Sequence, residues 1–242
     1  MIPAFTRYRS SGGGGDPYFS QVALLLHGEG ANNGTVFTDS SGYNHVLAVG
    51  GSPKTSTTSP KFGSASIAFG GTGTDTTQPG ATVDYLDLPS DTSTALGTGD
   101  FTIETWVKLN ALPPQYGGIF DCRPPSSNGA YPALFVQNNG ALLYYVNGGY
   151  ALSTSLILST GVWTHVAVVR RSEITTVYIG GISGGTYNDS NNYVNNRMRI
   201  GGSGYGNYLG LNGNLDEFRF TPGVARYSAN FTPPIAPFPD HS

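Results

Sequence analysis

Between Gln21 and Thr221 the chain is a succession of short strand-like runs closed by glycine, asparagine or proline. Two-residue alternation sorts the side chains of such a run onto two faces. The clearest run is Phe101–Leu109, with Phe101, Ile103, Val107 and Leu109 on one face and Glu104, Trp106 and Lys108 on the other. Residues 64–69 and Tyr85–Leu88 also alternate, whereas residues 22–26 are continuously apolar and read as a strand buried on both sides. Further strands are expected at residues 118–121, 133–137, 141–146, 163–171, 175–180, 197–201 and 215–221. Asn139-Gly140 joins two of these and predicts a tight hairpin, and a second turn is expected around Ser172-Glu173. No segment shows helical periodicity, beyond one short 3₁₀ turn expected near residues 224–227. About a dozen short strands in one chain predict an all-β, two-sheet antiparallel sandwich or jelly roll.

The totals agree with one large β domain. Of 242 residues only 11% are charged, and the 35 glycines are spread without a collagen-like period. A net charge of −3 with no basic run leaves no electrostatic footprint for nucleic acid. Cys122 is the single cysteine, which excludes an intrachain disulfide framework and a Cys-x-x-Cys zinc site. No apolar stretch reaches the ~20 residues needed for membrane insertion. The first twenty residues lack the apolar core of a secretory signal, so synthesis without Sec export is expected.

Three segments are expected. Residues 1–19 form an arm and linker, in which Phe5, Arg7, Tyr8 and Arg9 precede the run Gly12 to Gly15 and are assigned to anchoring. Residues 20–234 form the sandwich and residues 235–242 a tail. Strict alternation in the last strand puts Asp216 on the face of Phe218 and Phe220, with Leu215, Glu217, Arg219 and Thr221 opposite. A carboxylate among phenylalanines must be hydrogen-bonded, paired or metal-bound, since burying it bare costs several kcal/mol.

Six elements in order carry a resemblance. They are Leu24-Leu25-Leu26-His27-Gly28-Glu29-Gly30, Phe37-Thr38-Asp39-Ser40-Ser41-Gly42, Phe62-Gly63, the strand from Phe101, Gly161-Val162-Trp163-Thr164-His165-Val166-Ala167, and the stretch from Leu215 to Pro234. Together the chain resembles the laminin-G-like, concanavalin-A-like jelly rolls. Its opening and its Val-Ala-Arg-Tyr…Asn-Phe-Thr-Pro-Pro ending are similar to versions in tailed-phage virion proteins. The resemblance implies a non-catalytic decoration, fibre or tail module on the virion. Such a module would be made in the host cytoplasm, held to other virion subunits through residues 1–19, and homo-oligomeric in the particle. It also implies Ca²⁺ near the junction of the sheets, with Asp39, Asn44 and Asp216 as ligands. The alternative is that Asp39 caps its own turn and Asp216 accepts backbone N–H groups.

Relatives of this family include β-glucanases, which need two carboxylates across a cleft. The chain has no Glu-x-Asp-x-x-Glu strand, Asp216 and Glu217 are expected to diverge, and Glu104 has Lys108 beside it. Cys122, His27 and His165 read as structural. No catalytic residue is therefore expected. The binding signal is tyrosine set among asparagine and glycine, the composition of adaptable recognition loops. Tyr144, Tyr145 and Tyr150 form one cluster, while Tyr187, Tyr193, Tyr205 and Tyr208 are assigned to host-surface carbohydrate. The alternatives are subunit contacts in an architectural protein and rings that cover the sandwich ends.

Overall fold

The computed structural model describes residues 14–71, 83–206 and 209–242, so Phe5, Arg7, Tyr8, Arg9 and Tyr208 lie outside the described residues. Fifteen strands are described: β1 (Leu24–Leu26), β2 (Ala48–Gly50), β3 (Lys54–Ser56), β4 (Ser66–Gly70), β5 (Tyr85–Leu88), β6 (Phe101–Leu109), β7 (Tyr116–Asp121), β8 (Ala133–Gln137), β9 (Ala141–Val146), β10 (Gly149–Ile157), β11 (Thr164–Arg171), β12 (Ile174–Ile179), β13 (Ile182–Asn188), β14 (Met198–Ile200) and β15 (Asn212–Pro222). They form two antiparallel sheets. The first runs β13-β12-β11-β6-β15-β4-β3 with β1 beside β15, and the second runs β10-β9-β8-β7-β14-β5-β2. This is the expected jelly-roll sandwich.

Alternation places the core. Phe101, Ile103, Val107 and Leu109 of β6 meet Leu134 and Val136 of β8 and Leu142, Tyr144 and Val146 of β9 in one buried cluster between the sheets. The Asn139-Gly140 hairpin is present, with Gly140 at φ 86, a conformation that a Cβ would strain. Ser172 and Glu173 likewise make a left-handed two-residue turn at φ 48 and 62. The short 3₁₀ segments lie at Phe19–Gln21 and Thr92–Thr94, where Asp91 supplies a capping box, and residues 224–227 are not helical.

The last strand departs from strict alternation. Asp216 pairs with Trp106 and Arg219 with Glu104, so β15 carries one extra residue against β6. Glu217 absorbs it with φ 52. Such a bulge reverses the facing of everything beyond it. Leu215, Phe218 and Phe220 therefore all enter the main core, and Asp216 lies beside Trp106 on the other side of the sheet. The expectation that Asp216 shares a face with the two phenylalanines is corrected by this single insertion.

That outer side of the first sheet is covered by both ends of the described chain. Asp16, in the segment expected to be linker, is fully buried, and its N–H donates to the His241 carbonyl at 2.7 Å. Its carboxylate accepts from Arg226 at 3.0 and 2.7 Å and from Arg219 at 3.1 Å. Arg219 also donates to Glu104 at 3.0 and 2.7 Å, and the Tyr227 hydroxyl donates to Glu104 at 2.7 Å. Glu104 thus pairs across strands with Arg219 rather than along its own strand with Lys108. Phe238 packs with Val22 and Leu25, its ring 3.7 Å from the Arg219 guanidinium. Residues 14–19 and the tail are therefore a third layer of the fold.

Candidate functional site

The outward face of the second sheet carries the arrangement with most binding capacity. Cross-strand register lines up Tyr150, Tyr145, Ala133, Asp121, Arg199, Asp87 and Ala48 in one row over the sheet. Directly paired residues share a face, so the row is aromatic at one end and charged in the middle. Phe135, Leu143 and Leu209 join Ala133 in a small apolar cluster on this face, against which Tyr116 and Tyr145 pack.

Phe135, Leu143, Leu209, Tyr116 and Tyr145 line an open trough of about 170 Å³ together with Gln115, Arg123 and Tyr150. The rings of Tyr116, Tyr145 and Tyr150 stand with centroids 6.0–6.1 Å apart across their contacts, and Tyr150 is 67% exposed. The Tyr116 hydroxyl donates to the Tyr150 hydroxyl at 3.0 Å, a bond that, with burial, pushes Tyr116 up to about 12. The Tyr116 phenol therefore stays protonated.

Arg123 forms the floor beside them. Its guanidinium grips Asp121 at 2.7–3.2 Å, donates to Asn128 at 3.1 Å, and lies 4.5 Å from the Tyr145 ring centroid. Asp121 also accepts from the Gly204 amide at 2.8 Å and the Ser203 hydroxyl at 3.2 Å, which ties the loop after β14 over the sheet. Asp87 is held in the same way by Arg197 at 2.6 Å and by Arg199 at 2.9 and 3.0 Å. Each of these carboxylates is thus held by guanidinium groups, Asp121 by one and Asp87 by two.

The residues assigned from sequence divide. Tyr205 borders the trough, half-buried, with its ring 5.3 Å from Arg123. Tyr193 does not meet solvent: it is 3% exposed, and its hydroxyl is bonded to Asp189 and Tyr144 at 2.6 Å. Burial and the adjacent Asp189 hold its phenol well above the usual range. It is a core tyrosine, and that assignment is corrected. Tyr187 packs half-buried on Tyr144, away from the trough. Tyr116, Phe135, Arg123 and Leu209 were missed. A signal existed: strands β8 and β9 are apolar at outward as well as inward positions, which says their outer face is also covered or used.

Asp39, Asn44 and Asp216 do not form one donor set. Asp39 accepts the N–H groups of Leu25, Ser41 and His45 and the Ser41 hydroxyl at 2.8–3.0 Å, so its lone pairs face hydrogens instead of a cation. Asn44 is exposed, in a left-handed turn. Asp216 accepts from Lys61 and Phe62 amides at 2.8 and 3.2 Å, and its other oxygen is buried with no hydrogen-bond partner among the described residues. Burial raises its carboxyl to about 7, the two amides only partly offsetting it. Among the described residues no group of three His, Cys, Asp or Glu is placed to hold a metal. A Ca²⁺ held by those three residues therefore does not fit this arrangement.

Glu217 does not diverge to the main-core side. It accepts from the Phe238 amide at 2.7 Å and lies 2.8 Å from His27 Nδ1. Burial opposes the charged imidazole, but the bond and charge of Glu217 outweigh it and raise His27 above its ordinary value. His165 is fully buried, ringed by Trp106, Tyr227 and Phe231, and Cys122 is a core thiol pushed up by burial and by Asp121.

Comparison with known proteins defines the class. A laminin G family model, described as the Concanavalin A-like lectin/glucanases superfamily, matches residues 80–225. The chain belongs to that family. No curated protein matches its sequence. Among solved structures, Domain 4 of AbnA, a GH43 extracellular arabinanase from Geobacillus stearothermophilus in complex with arabinotriose, superimposes with a TM-score of 0.61 at 16% identity, over 84% of this chain and 93% of that one. The binding domain of botulinum neurotoxin serotype D gives 0.60 at 14% identity, over 89% of this chain and 51% of that one. A botulinum neurotoxin type C structure, whose cell entry depends on two ganglioside molecules, gives 0.56 at 14% identity over 86% and 49%. The chain thus spans about half the length of the neurotoxin chains, and these likenesses establish the fold.

Proposed function

We propose that this domain is a non-catalytic carbohydrate-binding module whose site is the tyrosine trough, and that it is displayed on a phage virion through residues 1–19. The observation that carries the binding reading is the group Tyr116, Tyr145 and Tyr150, half-buried to exposed, on an outward sheet face. Exposed aromatic rings that share hydrogen-bonded hydroxyls offer a flat apolar surface and polar edges together. Sugar rings present the complementary pattern of C–H faces and hydroxyl rims. Because Arg123 is neutralised by Asp121, the trough suits a neutral saccharide.

The absence of catalysis rests on how the carboxylates of this face are used. Asp87 and Asp121 are each gripped by guanidinium groups, whereas a glycosidase needs an acid and a base standing across the scissile bond. The two fold neighbours, one complexed with arabinotriose and one dependent on gangliosides, are consistent with saccharide recognition. The virion setting is supported by the sequence elements at residues 24–30 and 224–234.

A glycan array probed with the wild-type domain and with Tyr145→Ala/Tyr150→Ala tests the site. Binding to a defined glycan group, lost in the variant, is the expected result. Wild-type binding retained by the variant removes the trough from the account, and loss of oligomers without any glycan binding favours the architectural reading. Antibody labelling of purified particles tests display, which fails if the domain is absent from them.

A further inference from the structure

The opposite side of the sandwich holds a second concavity, separate from the trough. It is a pocket of about 300 Å³ between the β11–β12 hairpin and the crossing segment at Tyr227-Ser228. Its base is sheet: Val169 pairs with Thr176 and Arg171 with Ile174, so these four side chains share the outer face of the first sheet. Its wall is Tyr227, stacked on Phe231 at 3.5 Å and tied through its hydroxyl to Glu104 at 2.7 Å. Tyr178 closes the interior and is 4% exposed.

The one charged side chain lining this pocket is Arg171. Arg171 is exposed and forms no hydrogen bond or ion pair among the described residues, unlike Arg123, Arg170, Arg197, Arg199, Arg219 and Arg226, which all engage protein groups. The Ser172 and Ser228 hydroxyls beside it likewise have no hydrogen-bond partner among the described residues. The turn that presents Arg171 is fixed, since the Ser172 amide donates to Asp100 Oδ1 at 2.8 Å and the Gly223 amide to the Asp100 carbonyl at 2.8 Å. Asp100 and Glu173 flank the turn, and neither forms an ion pair with Arg171.

We propose that this pocket is a second saccharide site, selective for a sugar unit bearing an anionic group. A guanidinium with its donors open matches a carboxylate or sulfate in fork geometry. The two serine hydroxyls sit where ring hydroxyls of the same unit would lie, and Val169, Ile174 and Tyr178 supply the apolar base. At about 300 Å³ the pocket stands at the small end of ligand sites, room for one sugar unit rather than a chain. The neutral trough and this pocket lie on opposite sheets, so the two sites bind independently.

Titration of the domain with methyl glucuronide, glucose 6-sulfate and methyl glucoside, followed by amide NMR spectra, tests the proposal. Saturable shifts at Ser172, Thr176 and Ser228 with an acidic sugar are expected, weakened by salt and absent with the neutral glucoside. Glucuronide alone assigns a carboxylate, and glucose 6-sulfate alone a sulfate. Arg171→Gln should lower the affinity by about tenfold or more, as loss of a charge-assisted contact does. Ser228→Trp, which fills the mouth, should abolish binding, while Tyr145→Ala/Tyr150→Ala should leave it unchanged. Equal response to the neutral sugar, no response to either acid, or unchanged binding in Arg171→Gln overturns the proposal. None of these results bears on the trough, which is read by its own variant.

Discussion

Replacing Asp16 by asparagine removes one negative charge from a cluster that holds two cations and two anions with no access to water. Asp16, Glu104, Arg219 and Arg226 have side chains that are 0% exposed, and five of the donated bonds among them are 3.1 Å or shorter. With Asp16 neutral, two guanidinium charges stay buried beside a single carboxylate, one of them uncompensated. Breaking one partner out of such a pair costs about 3–5 kcal/mol, which for a domain of this length lowers Tm by about 6–20 °C. Urea unfolding at neutral pH, monitored by tryptophan fluorescence, measures it. Pairing Asp16→Asn with Arg226→Met restores neutrality, so the double variant should lose less than the sum of the single losses. The same cluster sets acid stability. Burial disfavours both carboxylates, but the arginines outweigh it and depress Asp16 and Glu104 below their ordinary 3.8 and 4.5. The stability they confer is present above those unfolded values and is lost as pH falls toward the folded ones. A loss below about 1 kcal/mol, the range of exposed pairs, would refute the idea that this cluster fastens residues 14–19 to the sheet.

Asp216 titrates in the other direction, since its folded value of about 7 lies above the unfolded 3.8. The folded state therefore holds the extra proton, and stability falls as pH rises from about 4 to about 7. Asp216→Asn should flatten that fall and raise Tm at pH 8 relative to wild type; an equal drop in both proteins would contradict it. His27 is raised above 6.5 by Glu217, so its contribution is complete below that value and disappears as pH rises through the folded one. His27→Ala should lower Tm below pH 6.5, where that contribution is complete, and flatten the fall of Tm above it, as a pH series of melts will show. Millimolar Ca²⁺ followed by chelator should leave Tm unchanged, because Asp39 is occupied by four donors; a clear rise with Ca²⁺ would show that those donors give way to the ion.

The strands that alternate, such as Tyr85–Leu88 and Phe101–Leu109, have the same limits in the sequence as in the fold. Their side-chain period is set by the core alone. β2, β3, β10 and β13 were not legible because they carry Gly, Ser and Thr and bury few apolar residues. A bulge is invisible to alternation: nothing in Asp216-Glu217-Phe218 announces the residue at φ 52 that reverses the strand. The site was legible by composition and misplaced by geometry. Tyrosines 193 and 145 look alike in sequence, yet one is hydrogen-bonded in the core and the other lies over Arg123 on the outer face. Which face a tyrosine takes depends on register with distant strands, and only the folded sheet supplies that.

The central claim is that the outward face of the second sheet, at Tyr116, Tyr145 and Tyr150, recognises a neutral saccharide. Isothermal titration of the best array glycan into the wild-type domain and into Tyr145→Ala/Tyr150→Ala measures it most directly. The account predicts one saturable site in the wild type that persists at high salt and falls below detection in the variant. Equal affinity in both proteins, or wild-type binding that salt abolishes, would contradict it.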